Sequence, residues 1–242
     1  MPAVPTDQAL DTGTARREPV PIAPLWHTAI LIAVIIGVAT TGTLLRPSGA
    51  PSPSPASAGS RITTVYLPMV IVQWGLALYV CRIARPRSAL GPLLGERWKS
   101  PRRAAVDVAL ALAGWLLIQA FELAWARLLG QGAPASVLAV LPHTWLERVA
   151  WVVVSVSAGF CEEVVYRGYL QTQLTAFTRR AGVAVVLQAA LFGIAHGEQG
   201  ARAIVRVALY GLAFGALARW RRSLWPGIVC HAWTDLASGL LR

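Results

Sequence analysis

The chain has 242 residues, 55% of them hydrophobic and only 14% charged, with a formal charge of +11. Soluble domains carry about a quarter charged residues, so this composition argues against a soluble fold, and a mean hydropathy of +0.54 agrees. A pI near 10.9 does not indicate nucleic acid as a partner, because that reading needs basic residues gathered on a solvated module.

The first 24 residues mix Asp7, Asp11, Arg16, Arg17 and Glu18 with prolines, and read as a polar tail without the layout of a signal peptide. Apolar stretches follow at about 25–45, 62–83, 105–129, 145–176, 182–197, 201–219 and 223–241. The fourth is long enough to leave a bilayer as a helix. The expectation is an all-α, polytopic transmembrane helix bundle of about seven spans. Three N-terminal helices occupy 25–129, with an exposed Pro/Ser loop at 47–60 and a basic loop at 84–104, and the four C-terminal helices, 145–241, form a catalytic core.

Arginine and lysine set the orientation. The second connector carries Arg82, Arg85, Arg87, Arg97, Lys99, Arg102 and Arg103, whereas the Pro47–Ser60 loop is uncharged. Alternation then places Arg179-Arg180 and Arg219-Trp220-Arg221-Arg222 on the same, cytoplasmic side, with the N-terminus. A multi-pass protein of the cell membrane is expected. Trp26, Trp98, Trp145, Trp220 and Trp225 fall near span ends, where interfacial aromatics sit. Cys81, Cys161 and Cys230 lack metal-ligand spacing and read as small packing residues.

An ionisable group inside a span costs several kcal/mol unless it is paired or faces a polar cavity. The last four stretches hold such groups in a pattern: Glu162-Glu163-x-x-x-Arg167, Phe192-x-x-x-His196 and His231-x-x-x-Asp235. Glu163 and Arg167 are spaced i and i+4 with the acid first, the favourable order for an ion pair. Glu162 projects about 100° away. The pair is therefore assigned a structural role, and Glu162 is the carboxylate free for chemistry. If the fourth and fifth stretches turn near Arg179, Glu162 and His196 are equally far from the turn and share one level. Phe192, one turn before His196, reads as a core aromatic on the same face.

His231 and Asp235 share a helical face but begin less deep, which requires the preceding hairpin to project into the cytoplasm. Polar Gln171, Gln173, Thr175 and Thr178 are consistent with that. Asp107 and Glu147 begin helices, where acids suit the positive dipole end. Glu122 reads equally as a bundle contact or a substrate-channel group.

At these motifs the sequence resembles the CPBP family, the CAAX prenyl proteases and bacteriocin-processing enzymes, whose pattern is E-E-x-x-x-R, F-x-x-x-H and H-x-x-x-N in successive membrane helices. Gly168 after the arginine also agrees. The resemblance implies an intramembrane endopeptidase acting on a membrane-associated or prenylated substrate. It implies that Glu162 and His196 activate water and that His231 and Asp235 support the oxyanion, with Glu163, Arg167 and Phe192 in support. Asp235 stands where the pattern has Asn, and an ionised Asp cannot donate a hydrogen bond. It must be protonated, orient His231, or help to ligate a metal. No cofactor is required on the favoured, glutamate-type reading. The metalloprotease alternative takes Glu162, His196, His231 and Asp235 as ligands for zinc. Two other classes stand beside the protease: a non-enzymatic immunity or scaffolding protein that keeps the fold, and a transporter with an intramembrane carboxylate.

Overall fold

The computed structural model describes residues 20–45, 61–87, 90–95, 98, 100–130 and 132–241. The polar tail up to residue 19, the Pro/Ser loop and parts of the basic loop lie outside the described residues. Every apolar stretch read from the sequence is helical: α1 (Leu25–Leu45), α2 (Ile62–Ala84), α3 (Pro101–Leu129), α4 (Trp145–Thr178), α5 (Ala181–Ile194), α6 (Ala201–Arg221) and α7 (Trp225–Leu240). Short helical turns at Leu90–Leu94 and Ala135–Val140 lie between them, and the described residues contain no strand. The all-α class is therefore as expected.

Five helices, α1 to α4 and α6, are long and apolar enough to cross a membrane. Helices α5 and α7, with 14 and 16 residues, are shorter. At about 1.5 Å per residue they span roughly 21 and 24 Å, less than the roughly 30 Å hydrocarbon core. The outer faces present apolar side chains to the surroundings, among them Ile71, Leu78, Leu116, Leu117, Val153, Val186 and Val205. This is a multi-pass membrane protein.

Local chemistry sets the helix ends. Ser100 caps α3, its Oγ accepting from the Arg103 amide at 3.3 Å, and Pro101 follows at the first helical position. Thr144 and Glu147 form a reciprocal capping box at the start of α4. Arg179 takes the left-handed conformation (φ 57°) that ends α4 and turns the chain into α5, where the hairpin was expected.

Two glycines let helices meet closely. A Cβ on Gly159 would lie 2.7 Å from the Ala232 backbone nitrogen, so α4 and α7 touch almost backbone to backbone. Gly168 faces the Leu93 carbonyl, where a Cβ would sit at 2.7 Å, and the Leu224 side chain. Gly159→Val should separate α4 from α7 and lower the unfolding midpoint in detergent, at a cost of about 1–3 kcal/mol or more.

Several buried polar groups pin helices together. Gln173 donates to the Ala23 carbonyl and to Thr28 Oγ1, both at 2.9 Å, and accepts from the Ala23 amide at 3.1 Å. Gln171 donates to the Gly215 carbonyl at 3.1 Å. Thr175 and Thr178 bond back to carbonyls one turn earlier. The polarity of this segment, read from sequence as exposure to the cytoplasm, instead satisfies groups inside the bundle. Asp107, expected to serve the dipole of α3, accepts from Arg221 at 2.7 and 3.0 Å and from the Trp98 indole at 3.0 Å. Glu122 is a bundle contact, paired with Arg206 at 3.1 Å and bonded by the Tyr210 hydroxyl.

Candidate active site

The site forms where α4 changes pitch. Up to Glu162 the chain is α-helical; from Glu163 to Leu170 it makes a wider π-helical turn, and from Gln171 it is α-helical again. Such turns favour functional positions because they redirect side chains within a continuous helix. Every residue from Glu163 to Leu170 is buried, while Glu162 remains partly open.

Glu163 and Arg167 pair as the spacing predicted, Arg167 Nη1 lying 3.0 Å from Glu163 Oε1 with both side chains fully buried. The N–H does not align as a hydrogen bond, and all three guanidinium nitrogens lack a hydrogen-bond partner. Aromatic faces compensate: the guanidinium lies 4.2 Å from the Phe192 ring centre and 5.4 Å from that of Phe214. Glu163 also rests on the first turn of α7, where a Cβ on Gly227 would come within 3.0 Å of Oε2. The positive end of that helix favours a carboxylate.

His231 enters between the two glutamates. Its Nδ1 is 3.3 Å from Glu163 Oε1, and its Nε2 is 3.8 Å from Glu162 Oε2 and 3.7 Å from Asp235 Oδ2. The roughly 100° between neighbouring helical residues thus brings the two acids to opposite edges of one imidazole. Glu163 therefore does more than pair with Arg167: it orients His231. The ring stacks on Phe214, centroids 5.5 Å apart, and meets Phe192 edge-on at 6.0 Å. The Asp235 carbonyl accepts from the Trp151 indole at 2.9 Å, which ties this part of α7 to α4.

His196 departs from the sequence reading. It lies beyond the end of α5, at the start of a 3-10 turn over Gly197–Gln199, rather than inside an apolar helix. Its Nδ1 is 2.8 Å from the Phe192 carbonyl. A carbonyl only accepts, so Nδ1 carries the proton and, in the neutral ring, Nε2 holds the lone pair. No hydrogen bond or ion pair joins Glu162 to His196 among the described residues. Phe192 links the two halves of the site, its ring touching Arg167, His231 and His196, the last at 4.9 Å. It is buried, as expected of a core aromatic.

Among the described residues no group of three or more His, Cys, Asp or Glu side chains is gathered so as to hold a metal ion.

Sequence reasoning missed Gln73 of α2, whose Nε2 lies 3.5 Å from Glu162 Oε1. It also missed Phe214 and Trp151. A search restricted to ionisable groups passes over an amide; a search for any buried polar side chain within a span finds it.

A multi-pass helical bundle that encloses three acids, two histidines and a buried arginine defines a class, the membrane proteins with an acid–histidine centre inside the helices. Residues 144–237, about two fifths of the chain, match the model of the type II CAAX prenyl endopeptidase Rce1-like family. No curated protein and no solved structure matches the chain. All three motifs fall within the matched segment, and α1, α2 and α3 lie outside it.

Proposed function

We propose that the protein is a membrane endopeptidase of the CAAX-protease type, acting on a membrane-associated, lipid-modified protein. Glu162 and His196 activate water, and His231 serves the oxyanion. The observation that carries this reading is the division within the site. Glu163, Arg167 and Phe192 are buried and hold one another, whereas Glu162, His196 and Asp235 are partly open, and Glu162 Oε2 has no hydrogen-bond partner.

Glu162 Oε2 has no hydrogen-bond partner, and His196 Nε2 is the basic nitrogen of its ring. A water held between these atoms loses a proton as its oxygen attacks the peptide carbonyl. The C–N bond then breaks, and the proton passes to the departing amine. His231, as an imidazolium whose Nδ1–H is held by Glu163, directs Nε2–H toward the developing oxyanion, where exclusion of bulk water strengthens the interaction. Asp235 faces the same Nε2 at 3.7 Å and orients the ring in the place of a direct donor, which accounts for an acid where the family pattern has an amide. No step in this scheme uses a metal.

The test is cleavage of a farnesylated peptide by the purified full-length protein in lipid nanodiscs. Cleavage should persist at an unchanged rate after exhaustive chelation, with no stoichiometric zinc by elemental analysis. Loss of activity on chelation, restored by zinc, would replace this scheme with a metalloprotease, and the absence of any cleavage would remove the enzymatic reading.

A further inference from the structure

Helices α1 to α3 lie outside the segment that matches the family model, yet one of them reaches the centre. The buried stripe of α2 runs through Gln73, Ala77, Val80 and Ala84 and faces the rest of the bundle. Beside Gln73, the Trp74 indole donates to Ser157 Oγ of α4 at 3.0 Å, and its ring stacks on Phe160 at 5.8 Å. These contacts fix α2 against the turn of α4 that leads to Glu162.

Four glutamines are buried among the described residues: Gln73, Gln171, Gln173 and Gln188. Three are interhelical pins that donate to backbone carbonyls, of Gly215, Ala23 and Gly211 respectively. Gln73 donates instead to a carboxylate, Oε1 of Glu162. Its own Oε1 is buried without a partner, as are those of Gln171 and Gln188. What sets Gln73 apart from these pins is the carboxylate that accepts its hydrogen bond. The contact also distinguishes the two carboxylate oxygens of Glu162. Oε1 is held by α2, and Oε2, 3.8 Å from His231 Nε2, has no hydrogen-bond partner.

We propose that Gln73 is the positioning residue for Glu162, and that the N-terminal helices complete the active site by supplying it. This rests on the reading of Glu162 as the base. By holding one oxygen of the carboxylate, Gln73 fixes the rotation that aims the other at water, and displacement of a reacting group by about 1 Å can cost about 100-fold in rate.

The experiment compares wild type, Gln73→Met and Gln73→Asn in nanodiscs, with a farnesylated peptide as probe. Gln73→Met keeps the length and loses the donor; kcat should fall about 10- to 100-fold while KM stays within about twofold and the unfolding midpoint is retained. Gln73→Asn, which keeps a shorter amide, should recover part of kcat. A purely structural role would lower the unfolding midpoint and leave kcat of the folded fraction unchanged, and that result overturns the proposal.

A second readout does not need turnover. Labelling of Glu162 by a membrane-permeant carbodiimide, followed by mass spectrometry, should be faster in Gln73→Met than in wild type, because the carboxyl is no longer held. If wild type cleaves nothing, the protease reading fails and labelling alone decides: equal rates in the two proteins overturn the role of Gln73.

Discussion

Glu162→Gln should abolish peptide cleavage, lowering kcat by about 10²- to 10⁴-fold, the usual contribution of a positioned general base, while the protein folds and inserts normally. The substitution keeps size and shape. It replaces a carboxylate that can take a proton from water with an amide that cannot. Stability should change little because Glu162 is partly open, makes one 3.5 Å contact to Gln73 and only a 3.8 Å approach to His231. Equal cleavage rates for wild type and variant would end the assignment. Should Glu162→Ala combined with His196→Ala retain full cellular function, the fold serves binding, as in an immunity or scaffolding protein.

Arg167→Met should have the opposite profile, a large loss of stability. Glu163 and Arg167 are fully buried partners, and removing one member of such a pair leaves an uncompensated charge at a cost of about 3–5 kcal/mol. For a chain of this size that corresponds to a fall in Tm of about 10 °C, measured by thermal unfolding in detergent. Adding Glu163→Gln to Arg167→Met removes the stranded charge and should recover much of the loss. Activity should not return with it, since the double variant offers His231 Nδ1 a neutral amide in place of the acid. A single variant as stable as wild type would contradict the role given to the ion pair.

The motifs were legible because membrane interiors penalise charge. With so few acids in apolar helices, Glu162, Glu163 and Asp235 stand out, and helical spacing alone pairs Glu163 with Arg167. The turn at Arg179 was also readable from the break in apolar character. Other features depend on partners that one-dimensional spacing does not encode. Asp107 belongs to Arg221 and Trp98, and Glu122 to Arg206 and Tyr210, through contacts spanning the bundle. Gln171 and Gln173 look solvent-facing until the helices that accept and supply their hydrogen bonds are placed. His196 follows a run so apolar that the end of α5 two residues earlier, at Ile194, leaves no trace in composition.

The π-helical turn in α4 has a consequence for inheritance of the sequence. A π-helical turn closes its hydrogen bonds one residue further along than an α-helical turn, so the segment Glu163–Leu170 carries surplus backbone in a helix clamped at both ends. Ahead of it, Gly159 is pressed against Ala232, and toward its far end Tyr169 and Gln173 are bonded to Thr28. Deleting one residue would let the segment relax to ordinary pitch with the two clamps nearly in phase, but would turn side chains lying between them by up to about 100°. Substitutions can accumulate along this stretch while its length cannot drift. The surplus residue works as a frame marker that sets which side chains between the clamps face the site.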